Sequence, residues 1–243
     1  MRIRYLIRFE KRGNLKYIGH LDLLRLLHRC IKLSGIDIDY SKGFNPHILA
    51  SVVLPLTVGS EGLSEYAVFE MKTETGAERI LEKLNAVMPY GLKCLNARKM
   101  PDNEKPSGAI CAAQYFIEIN EKFNLPKIAE EILQSEKILA EKPEKIKKNS
   151  AKHSERANAE EPAKTDIRPL IYDVKAQGEK ELRVLIAQGS MRNLRPELLV
   201  KHIYENQGAL YFPYKINYIR SELYKADNRG NLVSIFQTDT NSV

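Results

Sequence analysis

The first residues of the chain alternate between charged and apolar side chains, which is typical of a β-strand with one buried face. This pattern predicts a strand over residues 2–10, whose apolar face carries Ile3, Tyr5, Ile7 and Phe9. From residue 21 onward the apolar spacing changes to three and four residues, which predicts an amphipathic helix over residues 21–33. Gly35 then ends the helix, because glycine readily adopts the left-handed conformation found after helices.

The first hundred residues continue this pattern in the order β-α-β-β-α-β. The further strands are predicted at residues 36–40, 48–56, 64–72 and 92–100, and the second helix at 77–87. The order is that of a ferredoxin-like unit in which the region of the second and third strands is elaborated. Residues 1–100 are therefore predicted to form an N-terminal ferredoxin-like domain.

The same order recurs more loosely over residues 112–243, after a polar linker at 101–111. Strands are predicted at 112–120, 167–176, 180–188, 214–224 and 232–236, and helices at 126–140 and 196–205. Residues from about 141 to 166 are rich in Lys, Glu and Ala and poor in large apolar side chains, which predicts a mobile insertion. The predicted fold class is α+β, with two ferredoxin-like units in tandem.

Positive charge is concentrated near the N-terminus. The 243-residue chain has a formal net charge of +7. Its first 46 residues contain ten Lys or Arg and four Asp or Glu. Clustered cations are typical of surfaces that bind nucleic acid or another polyanion. A solvated basic surface without a partner is the alternative.

Several function classes have no support in the sequence. No run of about 18 apolar residues suggests a membrane helix, and the N-terminus has no apolar signal stretch, so a cytoplasmic protein is expected. Cys30, Cys94 and Cys111 are odd in number and scattered, which argues against a disulfide framework, a zinc site or an iron–sulfur cluster. Phosphate-binding, dinucleotide-binding and zinc-protease motifs are absent. Neither a cofactor nor a metal is predicted.

Two histidine-containing segments are the main candidates for chemistry. His20 precedes the first helix turn, where it could cap the helix, contact an anion or act as a general base. Residues 41–47 combine a flexible glycine with Phe44, Asn45 and His47, which could stack on and pair with bases while Lys42 contacts phosphate. The alternative is a wide turn in which Phe44 fills the core.

Arginines supply further candidate anion contacts. Arg25 and Arg29 are one helical turn apart and could clamp a phosphate, although Arg25 could equally pair with Asp22. Arg8 lies on the polar face of the first strand, and Arg192 precedes the helix predicted at 196–205. Arg192 could bind an anion at that helix N-terminus or simply belong to a loop.

Five segments carry a resemblance to a known family. They are residues 4–11 (RYLIRFEK), 17–25 (YIGHLDLLR), 40–47 (YSKGFNPH), 54–62 (LPLTVGSEG) and 166–169 (DIRP). In residues and spacing the chain resembles the radical SAM-linked proteins known as DUF2344, strongly over about residues 2–100 and more thinly beyond. The resemblance implies a gene fused to or encoded beside a radical SAM enzyme, near genes for an RNase E/G-type ribonuclease and ribosomal proteins. This chain lacks the C-x-x-x-C-x-x-C triplet and so resembles a stand-alone accessory form.

The expected function is therefore a non-catalytic accessory protein of a radical SAM enzyme. It would bind RNA or an RNA–protein substrate on a basic N-terminal face. A metal-independent endoribonuclease, with His20 or His47 as general base, is a second hypothesis. A pure protein-docking module is a third.

Overall fold

The computed structural model describes residues 2–141 and 164–238. Its strands are β1 Ile3–Lys11, β2 Ala50–Val52, β3 Ser60–Met71, β4 Leu92–Lys99, β5 Ile110–Glu118, β6 Leu139–Glu141, β7 Lys164–Asp166, β8 Ile171–Gln177, β9 Glu181–Ala187, β10 Asn217–Ala226 and β11 Leu232–Ser234. Its helices are α1 His20–Ser34, α2 Ala77–Asn85, α3 Pro106–Ala109, α4 Leu125–Gln134 and α5 Pro196–Asn206.

Nine of these strands form one continuous sheet. The main path runs β4-β1-β3-β10-β5-β9-β8, with β2 added to β3 and β11 added to β10. Neighbouring strands are antiparallel except β3 and β10, which run parallel through three register pairs, Tyr218 with Ser60 to Arg220 with Gly62. The predicted mixed α+β class is confirmed, with a mostly antiparallel sheet.

The two halves of the chain arrange their strands in the same way. In each half the four strands lie side by side in the order fourth, first, third, second. This order is β4-β1-β3-β2 in the first half and β10-β5-β9-β8 in the second. The description of the halves as two ferredoxin-like units stays a prediction.

Three predicted boundaries differ from the structure. β3 begins at Ser60 rather than residue 64, because Ser60 pairs with Tyr218, more than 150 positions away in sequence. α4 ends at Gln134 rather than residue 140, since residues 139–141 instead pair with 164–166. The predicted linker contains α3 and the start of β5.

The predicted insertion lies largely outside the described residues, which omit 142–163. Its two ends are ordered strands: Glu141 belongs to β6 and residues 164–166 form β7. The β6–β7 pair thus brings the two ends of this segment together.

The buried apolar side chains form two clusters, one within the first half and one that extends from the second half to Leu6, Val53 and Tyr66. In the first half Tyr5, Ile7 and Phe9 of β1 pack against Leu27 and Ile31 of α1. In the second half, buried side chains of β5 and β9 pack with those of α4 and α5. The amphipathic helix predicted at 21–33 and its glycine stop are confirmed, since Gly35 has φ of 63°.

An ion pair is buried where the halves meet. Arg220 of β10 donates from Nε and Nη2 to the two carboxylate oxygens of Glu65 of β3, at 2.9 and 2.5 Å. Both side chains are 1% exposed. Arg220 also donates to the Leu54 carbonyl at 2.8 Å, so one guanidinium joins β10, β3 and the segment after β2.

No helix in the described ranges combines the length and apolar character needed to cross a lipid bilayer.

Candidate functional site

The strand that follows α1 is interrupted by a loop. Before the interruption, Asp39 donates its N–H to the Glu70 carbonyl of β3 at 2.7 Å. After it, the Glu70 N–H donates to the Leu49 carbonyl at 2.9 Å, and β2 continues along β3. The Leu49 N–H reaches back to the Asp39 carbonyl at 3.0 Å. Residues 40–48 therefore project from a nearly unbroken strand, and we call them the 40–48 loop.

Contacts between its two sides close the 40–48 loop. Tyr40 and Ile48 form an isolated β-bridge. Beyond that bridge, the Ser41 N–H donates to the His47 carbonyl at 2.9 Å, and the His47 N–H donates to Ser41 Oγ at 3.0 Å. Ser41 Oγ also lies 2.7 Å from His47 Nδ1. Ser41 and His47 are thus joined by both main-chain and side-chain contacts.

The tip of the 40–48 loop is exposed. Lys42, Phe44, Asn45 and His47 are all exposed, and the relative accessibility of Phe44 is 107%. The alternative in which Phe44 fills the core is therefore wrong. Gly43 has φ of 129°, a conformation that side chains disfavour, so glycine is needed for this turn.

Helix α1 presents cations beside this loop. His28 Nε2 lies 3.4 Å from the carbonyl oxygen of Ala50, just after the loop. Arg25 and Lys32 are three residues before and four residues after His28, and residues at these spacings share a helix face. Arg25 pairs with Asp22 at 2.8 Å, as one of the two sequence interpretations expected. Arg29 and Lys32 are exposed.

One further cation at this surface was not found from the sequence. Lys72 follows β3, and its Nζ lies 5.6 Å from the ring centre of Tyr40 at the base of the loop. This contact depends on the pairing of residues 37–39 with the end of β3. No local sequence signal indicates it.

Arg8 does not join this surface. Because Ile7 and Phe9 face α1, the strand alternation places Arg8 on the opposite face of the sheet. There its Nε and Nη2 donate to Ser64 Oγ at 3.0 and 2.6 Å, and Nη2 lies 3.4 Å from Glu222 Oε2. Burial raises the pKa of Glu222, and the Arg8 charge opposes that shift.

His20 is separated from the 40–48 loop along α1. It is the first residue of the helix, eight residues before His28, which corresponds to about 12 Å of helix length. Its Nδ1 is buried and has no hydrogen-bond partner among the described residues. His47 instead uses Nδ1 in its contact with Ser41. The two histidines thus belong to separate elements.

A buried lysine lies close to the start of α1. Lys11 Nζ donates to the Ile18 carbonyl at 3.3 Å, and burial lowers the pKa of Lys11, while the charge of Glu65 opposes this shift. The side chain is 1% exposed, so it is not open to a ligand in this conformation.

Arg192 belongs to the second half of the chain. It is exposed in the segment between β9 and α5, and Arg195 is the residue that precedes α5. Of the predicted site residues, three belong to α1 and four to the 40–48 loop, namely His20, Arg25 and Arg29, and Lys42, Phe44, Asn45 and His47, whereas Arg8 and Arg192 belong to neither.

Comparison with known protein families identifies the family of this chain. A search of curated proteins found no relative. The family described as "Uncharacterized protein conserved in bacteria (DUF2344)" matches residues 4–196, which include α1, the 40–48 loop and, apart from Ile3, every strand of the nine-stranded sheet except β10 and β11. The chain therefore belongs to the DUF2344 family.

Proposed function

We propose that this protein is a non-catalytic accessory protein that binds RNA, or an RNA–protein substrate, on the surface formed by α1 and the 40–48 loop. Its two halves would be ferredoxin-like units, as their common strand order suggests. A radical SAM enzyme would be the catalytic partner, in line with the family resemblance.

The observation that carries the RNA proposal is a group of unpaired cations. Arg29 and Lys32 of α1 and Lys42 of the 40–48 loop are exposed, and none forms an ion pair with a described residue. An exposed cation without an ion-pair partner is available to a phosphate, which would supply the neutralising charge. Binding would release counterions from the phosphates, so affinity should fall as salt rises.

The accessory role rests on a second line of support. His20 begins α1, His47 belongs to the 40–48 loop, and no hydrogen bond among the described residues joins them, so the geometry gives no particular support to a ribonuclease in which both histidines act together. An accessory protein needs only to hold RNA, which the exposed cations and loop side chains suit.

The test is a fluorescence anisotropy titration of a labelled single-stranded RNA over a salt series. The quantity measured is the salt slope, which is the slope of the logarithm of affinity against the logarithm of salt concentration. The site variant Arg29→Ala/Lys32→Ala/Lys42→Ala should reduce the magnitude of this slope by about 2, because each phosphate contact on a single strand contributes about 0.7. The matched control, Lys122→Ala/Lys137→Ala/Lys180→Ala, changes net charge equally, and it removes three exposed lysines of the second half that form no ion pair with a described residue. Its slope should match the wild type.

Two outcomes would overturn the RNA proposal. One is an affinity for RNA that does not change with salt concentration. The other is an equal decrease of the salt slope in both triple variants. RNA cut in the presence of EDTA would instead promote the ribonuclease hypothesis. The partner proposal has its own test, which is co-elution of the purified protein with the radical SAM enzyme from the same genome.

A further inference from the structure

We infer that the 40–48 loop recognises an unpaired nucleobase, and that Phe44 is the platform on which this base stacks. The inference rests on the proposed function and deepens it. The cations of α1 and Lys42 would bind phosphates whether the RNA is single- or double-stranded. Phe44 would select RNA in which at least one base is free to stack.

The first argument is the position of Phe44. An exposed phenyl ring gains nothing from burial in the folded chain, and this one is fully exposed at the tip of a projecting loop. None of the ring contacts in the described residues involves it. Both faces of the ring are therefore open to a flat partner.

The second argument is that the loop is closed. Ser41 and His47 are joined by three polar contacts, and Tyr40 and Ile48 by a bridge just below them. A ring carried on a closed loop loses less conformational freedom on binding than one on an open loop. The contacts thus favour presentation of Phe44 to a ligand.

The third argument concerns which RNA can use such a ring. In a duplex each base is covered above and below by its neighbours, so a protein ring stacks only on bases that are splayed out in loops, bulges or single strands. Lys42 lies two residues before Phe44 and Asn45 one residue after it, both exposed. Lys42 can contact the phosphate beside the stacked base, and the Asn45 amide can hydrogen-bond its edge.

The chain offers a clean experiment because it contains no tryptophan. Phe44→Trp places one indole at the tip, where stacking with a base should change its fluorescence. Tyr90→Trp is the matched control, since Tyr90 is 97% exposed in the same half of the chain but lies between α2 and β4. Phe44→Ala removes the platform without disturbing any core.

The expected result is that a single-stranded RNA quenches the indole of Phe44→Trp and leaves that of Tyr90→Trp unchanged. A duplex of the same sequence should quench neither. Phe44→Ala should weaken single-strand binding about tenfold, a typical loss for one stacked base, and leave duplex binding at the wild-type level.

Failure of this inference differs from failure of the proposed function. If Phe44→Ala binds single strands with wild-type affinity and salt slope, base recognition by the loop is overturned and RNA binding stands. If the wild type binds neither single-stranded nor duplex RNA, both are overturned, and Phe44 is left as a contact for a protein partner.

Discussion

Gly62 has no side chain, yet it helps to determine how the two halves meet. A methyl group at this position would overlap the Cγ and Cδ atoms of Glu65 and one of its carboxylate oxygens. Gly62 is also the register partner of Arg220 across the parallel β3–β10 pair. The absent side chain thus leaves the space in which the Glu65 carboxylate reaches the guanidinium.

We therefore expect Gly62→Ala to destabilise the protein. Overpacking of a closely packed site typically costs about 1–3 kcal/mol, and here it would also displace one member of a buried ion pair. The measurement is the free energy of unfolding from urea titrations followed by circular dichroism. Gly108→Ala is the control, because nothing lies within 4 Å of the methyl group it would add. Equal stability of Gly62→Ala and the wild type would contradict the expectation.

The 40–48 loop shows what residue patterns can and cannot predict. Its composition is compatible with two interpretations of Lys42, Phe44, Asn45 and His47, which are exposed contacts for a polyanion or base, or parts of a turn around a buried Phe44. Exposure decides between these interpretations of Phe44, and it depends on how the flanking strand pairs with β3. A local pattern contains no information on that pairing.

At the scale of the elements, α2 and β4 are joined by one side chain. Asn85, the last residue of α2, donates from Nδ2 to the Cys94 carbonyl at 2.9 Å and accepts from the Cys94 N–H at 2.8 Å. β4 is the outer strand of the main path of the sheet, next to β1 alone. The amide of Asn85 thus occupies backbone groups that an edge strand would otherwise offer to another chain.

Asn85→Ala should have two effects. Loss of two hydrogen bonds should lower the free energy of unfolding by about 1–3 kcal/mol, and the freed edge should increase self-association. Urea unfolding measures the first effect, and sedimentation velocity over a concentration series measures the second. Glu82→Ala on an exposed position of the same helix is the control and should change neither. A monomeric Asn85→Ala with wild-type stability would show that the edge needs no such protection.

Secondary structure was largely predictable because each element has a local cause. The alternation of β1, the three-and-four spacing of α1 and the glycine that follows α1 are all visible in the sequence. The early start of β3 and the strand at residues 139–141 were not predicted, because each depends on a partner strand distant in sequence. Arg8 is separated from the other candidate cations because it points to the face of the sheet opposite α1. There it pairs with Glu222 of β10, a residue of the second half that no local pattern around Arg8 could indicate.

For the whole molecule, the decisive feature is that one sheet runs through both cores. The parallel β3–β10 pair supplies three register pairs at the junction, and the Arg220–Glu65 ion pair is buried there. Formation of such a pair is weak evidence for stability, because both charges lose their hydration. Removal of one partner is different, since it leaves the other charge buried without compensation.

The whole chain should therefore unfold in one transition, and Arg220→Met should severely lower its free energy of unfolding. Because the buried Glu65 carboxylate then loses both hydrogen bonds to the guanidinium and keeps only the Coulombic attraction of Lys11, the expected loss is about 3–5 kcal/mol in the free energy of unfolding. Arg25→Met removes an exposed arginine from a pair with Asp22 and should cost less than about 1 kcal/mol. Urea titrations followed by both circular dichroism and tyrosine fluorescence give the two free energies and show whether the probes coincide. Two separate transitions in the wild type, or equal losses in the two variants, would mean that the halves are held as independent units and that the buried pair does not couple them.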